Sequence, residues 1–207
     1  MMEFNELEFL RQAVKIDSSE EVDQMREFLL ETLEEHDFSP EVDEAGNTPC
    51  TRGSGNLILC WILILILCPH VEFEETEERI KGRGSCDAKG PLSVFLKAFI
   101  ETEIDGRLTL AVTPDEETTL QASTELDIDA ESFLVGEPTN LDPCIAARGW
   151  TKLEVEFRGE AAHASEPENA VNAVKAALEA VLSLEYFHEQ FNYDNDILPE
   201  PTLSATI

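Results

Sequence analysis

Residues 57–68 form an unbroken apolar run, Leu-Ile-Leu-Cys-Trp-Ile-Leu-Ile-Leu-Ile-Leu-Cys, closed by Pro69. Twelve residues fall short of the ~20 that a membrane-crossing helix needs, so the protein itself must bury the run. Ile and Leu dominate it and a proline ends it, which predicts a buried strand over residues 57–67. The surrounding chain alternates in period. Leu7, Leu10 and Val14 lie three and four apart and predict a helix over residues 5–16. Ser18 followed by Glu21 reads as a capping box opening a second helix, whose stripe of Val22, Met25, Phe28 or Leu29, and Leu33 runs on to His36. Ser39-Pro40 stops that helix, residues 41–43 read as a short strand and Ala45-Gly46-Asn47 as a turn. Residues 79–83 read as extended, 92–101 as a helix, 108–113 and 133–135 as strands. Strands alternating with helices argue for an α/β fold with a mostly parallel sheet, in which ligands gather where strands end.

The character shifts around Arg148-Gly149-Trp150. Leu153, Val155 and Phe157 alternate with charged residues and predict a strand over residues 152–157. A loop over 159–165, an amphipathic helix over 169–184 and a strand-like stretch over 202–207 complete what reads as the first half of a small α+β unit. No repeat or low-complexity linker is visible.

Charge narrows the functional classes. Asp and Glu number 44 and Lys and Arg 14, so the net charge is 14 − 44 = −30. With 43% apolar residues the chain is no disordered acidic tail. It lacks the basic face that nucleic acid requires and the cations that an anionic membrane surface attracts. So acidic a surface suits a salt-rich cytoplasm, where screening relaxes self-repulsion. No basic, then apolar, leader opens the chain, which predicts a cytoplasmic protein. Cys50, Cys60, Cys68, Cys86 and Cys144 are odd in number and contain no C-x-x-C pair, so they read as small buried or semi-buried side chains.

Three acidic clusters each follow a strand-like segment. In Gly82-Arg83-Gly84-Ser85-Cys86-Asp87-Ala88-Lys89-Gly90, glycines let the backbone turn sharply and present Asp87 at a helix start, a plausible metal position. In Asp115-Glu116-Glu117-Thr118, neighbouring carboxylates point different ways, so one can bind a cation while the other faces water. Glu137, in Gly136-Glu137-Pro138-Thr139, leaves a strand into a turn. Each alone is an ordinary surface acid; together they suggest one cation-binding edge.

These three motifs, followed by Ala161-Ala162-His163-Ala164-Ser165, resemble in order and spacing the two-zinc amidohydrolase and exopeptidase family of acetylornithine deacetylase and succinyl-diaminopimelate desuccinylase. The resemblance runs from about Glu41 to the last residue. It implies removal of an acyl group from an amino acid, or of a terminal residue from a peptide, by metal-activated water, with two Zn2+ ions for which Co2+ can substitute. By position, Asp87 matches the carboxylate bridging the metals and Glu116 the general base. Glu117 and Glu137 match terminal metal ligands, and His163 the lid histidine that reaches the substrate. His36, His70 and His188 keep ordinary structural roles, His36 closing a helix.

The resemblance further implies a zinc-peptidase-like three-layer catalytic domain, present in part as residues 1–146. An inserted α+β ferredoxin-like lid, also partial, takes residues 147–207 and is a possible homodimer surface. Two of the family's five metal ligands have no counterpart: a His-x-Asp motif belongs between Leu59 and Pro69, and a last histidine lies beyond Ile207. The chain is therefore expected to be an incomplete enzyme with little activity; the alternatives are a non-catalytic remnant that binds or dimerises through the lid, or a pseudogene product. Residues 61–68 can be written in codons that, read two bases later, give Asp-Ser-His-Ile-Asp-Thr-Val, so compensating frameshifts are expected to flank the apolar run.

Overall fold

A computed structural model describes residues 3–18, 21–55, 58–65, 71–114, 121–149, 151–184, 196–198 and 200–204. The chain divides into two compact units, Met1–Leu141 and Asp142–Ile207.

In the first unit a four-stranded sheet has the order β1-β5-β2-β6, with β1 Thr48–Gly53, β2 Ile58–Leu65, β5 Arg107–Pro114 and β6 Ser132–Val135. The apolar run supplies β2, which lies between two parallel neighbours: Ile58 pairs with Arg107 and Leu65 with Pro114 of β5, while Leu59 pairs with Ser132 and Ile62 with Val135 of β6. A strand hydrogen-bonded on both sides needs no polar edge, which is what an uninterrupted Ile/Leu run can offer. At the opposite edge β1 runs antiparallel to β5. A separate two-stranded ladder pairs β3 Glu74–Glu75 with β4 Ile80–Lys81.

Three helices supply the core. These are α1 Glu6–Lys15, α2 Asp23–Glu35 and α3 Lys89–Glu101. Phe9 and Ala13 of α1, Met25, Leu29 and Leu33 of α2, and Leu92, Leu96, Phe99 and Ile100 of α3 form one buried cluster with Leu108, Leu110 and Val112 of β5. The alternate positions Leu108, Leu110 and Val112 share one face of the strand, and the helices cover it. Aromatic rings knit the layer: Phe9 stacks on Phe28 at 4.9 Å, and Phe38 tilts against Phe99 at 5.0 Å. Arg52 of β1 donates through Nη1 to the carbonyls of Phe99 and Ile100, satisfying orphan acceptors at the end of α3. The short helix α4 Gln121–Thr124 packs near β5.

Several expectations are corrected. The second helix opens at Asp23, with Val22 as an N-cap that makes no side-chain cap bond, so Ser18 and Glu21 are not its capping box. Asp23 instead supplies the negative charge of the first turn and pairs with Arg26 at 2.6 Å. Residues 41–43 are not a strand; their backbone bonds, Glu41 N–H to Pro49 O and Asp43 N–H to Asn47 O, lead into the turn before β1. Gly46 takes φ +85 in that turn, a conformation that glycine adopts without strain.

In the second unit, α5 Ala173–Leu184 begins four residues later than expected, capped by Asn172 Oδ1, which accepts from Lys175 N–H at 3.0 Å. Residues 167–169 form a separate 3-10 turn. Residues 152–157 are not a strand: the described residues of this unit hold one isolated bridge, Glu160 to Val171, and Leu153 stays 80% exposed. Alternation specifies a half-buried face only where a partner strand exists, and none lies among the described residues.

Candidate metal-binding edge

Parallel strands send their carboxyl ends the same way, so β2, β5 and β6 leave the sheet at one edge. From that edge β5 leads into the Asp115-Glu116-Glu117-Thr118 motif and β6 into Gly136-Glu137-Pro138-Thr139. Their exits flank β2, two strand spacings apart across the sheet and staggered by three residues along it, since Pro114 pairs with Leu65 and Val135 with Ile62, which separates them by about 14 Å. Glu116 and Glu117 themselves fall outside the described residues. Glu137 is exposed, just beyond the buried Gly136, and its carbonyl accepts from Thr139 N–H at 2.9 Å in the turn.

Asp87 is half-buried in the loop that opens α3. That loop caps its own helix: Gly84 O accepts from Lys89 N–H at 2.8 Å and Gly90 N–H at 3.4 Å. Three glycines are needed because the backbone runs against neighbours. A Cβ on Gly82 would meet Val14 at 2.3 Å, one on Gly84 the Lys89 stem at 2.9 Å, and one on Gly90 the Ser85 carbonyl at 2.5 Å. A carboxylate just before a helix start is favoured by the partial positive charge there.

Lys89 was not singled out by the sequence. It is 3% exposed and donates through Nζ to Ile16 O at 2.8 Å. Burial pushes its ammonium down to about 8, with the Asp17 carboxylate pulling the other way. A signal was available: a lysine in the first turn of a helix opposes the dipole, so its charge has to be used elsewhere.

His163 lies in the second unit and is exposed. Its Nδ1 is 2.7 Å from Ser165 Oγ and accepts from Ser165 N–H at 3.3 Å, which leaves Nε2 as the outward-facing nitrogen. His36 is a core residue: it caps α2, donates from Nδ1 to Thr32 O at 2.9 Å and sets its ring edge-on to Phe4. Cys50 is buried, but Cys86 and Cys144 are exposed, against expectation. Among the described residues no three His, Cys, Asp or Glu side chains come together as a metal cluster.

Buried helices on a largely parallel sheet define an α/β fold. Residues 64–194 match the model of Peptidase family M20/M25/M40, so the chain belongs to that family. The matched stretch contains Asp87, Glu116, Glu117, Glu137 and His163. A Pyrobaculum aerophilum protein carrying the name LysW-lysine/LysW-ornithine hydrolase is 35% identical over 76% of this chain and 48% of its own length. Acetylornithine deacetylase of Proteus mirabilis is 27% identical over 92% of this chain and 55% of its own. The chain thus spans about half the length of the curated relatives it matches. A tripeptidase structure from Staphylococcus aureus superposes with a TM-score of 0.60 at 20% identity, over 87% of this chain and 57% of that one, which supports the fold. No described helix is long and apolar enough to cross a membrane.

Proposed function

We propose that this chain carries the amino-terminal part of a metal-dependent hydrolase that cleaves the amide bond of an N-acyl amino acid or short peptide in the cytoplasm. Residues 1–146 belong to its catalytic domain and residues 147–207 to the lid. The observation that carries this reading is the shared carboxyl edge of β2, β5 and β6, from which two acidic motifs depart in the family's order. On this reading a divalent cation, Zn2+ or Co2+, would be held by Asp87, which is half-buried in the loop before α3, together with Glu117 and Glu137. Bound there, the cation would polarise the scissile carbonyl and ease ionisation of water.

The chain's own residues divide the remaining tasks. Glu116 takes a proton from the attacking water and returns it to the leaving amine. His163, with Nδ1 engaged by Ser165, offers Nε2 to the substrate's carbonyl or carboxylate. Val174, Leu178, Val181 and Leu182 form an exposed apolar stripe on α5, consistent with a homodimer formed through the lid. The donor set is all carboxylate where zinc favours imidazole, so affinity and turnover are low. Incubation with N-acetylornithine or N-succinyl-diaminopimelate plus Zn2+ or Co2+, followed by amine detection, should give trace release that Glu116→Gln abolishes. Release that survives Glu116→Gln contradicts the assigned base, and brisk turnover with two zinc ions per chain contradicts the impaired site.

A further inference from the structure

We propose that Lys89 is a positioning residue for Asp87, a buried pin that fixes the loop presenting this carboxylate at the start of α3. The proposal rests on the reading of Asp87 as a metal ligand.

The geometry is that of a rod held at both ends. At one end the Lys89 backbone is the first residue of α3, and its N–H is bound by Gly84 O at 2.8 Å. At the other, its Nζ donates at 2.8 Å to the carbonyl of Ile16, the C-cap of α1, 73 residues away in sequence. The negative end of the α1 dipole lies there, which favours the ammonium. Between the ends the stem is buried inside the loop it stabilises: a Cβ on Gly84 would lie 2.9 Å from Cδ, 3.0 Å from Cγ and 3.3 Å from Cε. Gly84 at φ +78 folds over that stem, and Ser85, Cys86 and Asp87 follow directly.

An apolar side chain could fill the same space without the cost of burying a charge. What the ammonium adds is a fixed length, because its hydrogen bond sets the distance between the end of α1 and the start of α3 and so the height of the loop. A metal ligand misplaced by about 1 Å loses much of its value to a centre that depends on geometry.

The test uses the full chain. Lys89→Met keeps the stem and removes the ammonium, Lys89→Arg restores a donor, and Asp87→Asn removes the carboxylate. Zinc affinity is read by competition with a chromophoric chelator, and loop order by amide hydrogen exchange of residues 82–90 in metal-free protein. Lys89→Met should speed exchange in those residues at least tenfold and weaken zinc at least tenfold, with Lys89→Arg recovering part of both. Exchange within twofold of wild type, or faster exchange with unchanged zinc affinity, overturns the pin while leaving Asp87 as ligand. Unchanged zinc affinity in Asp87→Asn overturns the ligand reading itself, and the proposal with it. Should Lys89→Met not fold, Gly84→Ala, which pushes the loop off the stem, is expected to produce the same pair of losses, and its failure to do so counts against the pin.

Discussion

Asn47 is fully buried and ties together two parts of the first unit that are 75 residues apart. Its Nδ2 donates to Asp43 Oδ2 at 2.7 Å and to Ala122 O, in α4, at 2.8 Å. Its backbone N–H donates to Asp43 Oδ1 at 2.8 Å. Asn47→Ala removes the two side-chain bonds and strands both acceptors. A bond to a charged acceptor contributes about 1.5–3 kcal/mol and a neutral one about 0.5–1.5 kcal/mol, so a loss of about 2–4 kcal/mol is expected. Asn47→Asp is worse at pH 7, because it sets a second carboxylate against Asp43 and the Ala122 carbonyl, and the excess over Asn47→Ala should be at least about 1 kcal/mol. The introduced acid has a raised pKa in the folded state, so the excess shrinks as pH falls and the new group protonates. Urea unfolding of a Trp150→Phe background, in which Trp61 of β2 is the remaining tryptophan, reads the first unit. Asn47→Asp no less stable than Asn47→Ala at pH 7, or a difference between them that ignores pH, would refute the reasoning.

Other outcomes follow from the same packing. Phe99→Ala empties a fully buried site against Phe38 and should cost about 3–5 kcal/mol in urea unfolding. Burial pushes the Cys50 thiol up to about 11, so an unfolded chain loses this proton from pH 9 upward while the folded one keeps it; that contribution to stability is present below pH 9 and lost between 9 and 11. The stability difference between wild type and Cys50→Val should therefore drift against wild type over that window and stay flat from pH 7 to 8. Genomic DNA over codons 57–70, read two bases on, should encode a His-x-Asp motif; codons that do not would end the frameshift explanation for the apolar run.

What the sequence reveals depends on how local the cause is. The run that became β2 is legible because a strand with neighbours on both sides favours apolar residues, and β5 because its alternate Leu108, Leu110 and Val112 join the buried cluster. β1 is not, since Thr-Pro-Cys-Thr-Arg-Gly carries turn and polar residues. It is a strand because it pairs with β5 at an edge, where Pro49 is tolerated. The alternation of residues 152–157 misleads for the converse reason: the pattern is present and the partner strand is not among the described residues. At the candidate site, the order of acidic motifs and their departure from strand ends are readable in sequence. The tie from Lys89 to Ile16 is not, because a contact between residues 73 apart has no local period.

Zinc affinity of the full chain against its Asp87→Asn, Glu117→Gln, Glu137→Gln triple variant tests the central claim most directly. Metal ligation by these three carboxylates predicts measurable wild-type binding that the triple variant weakens more than tenfold, with folding unchanged by circular dichroism. Equal affinities in the two proteins would contradict a metal centre at that edge.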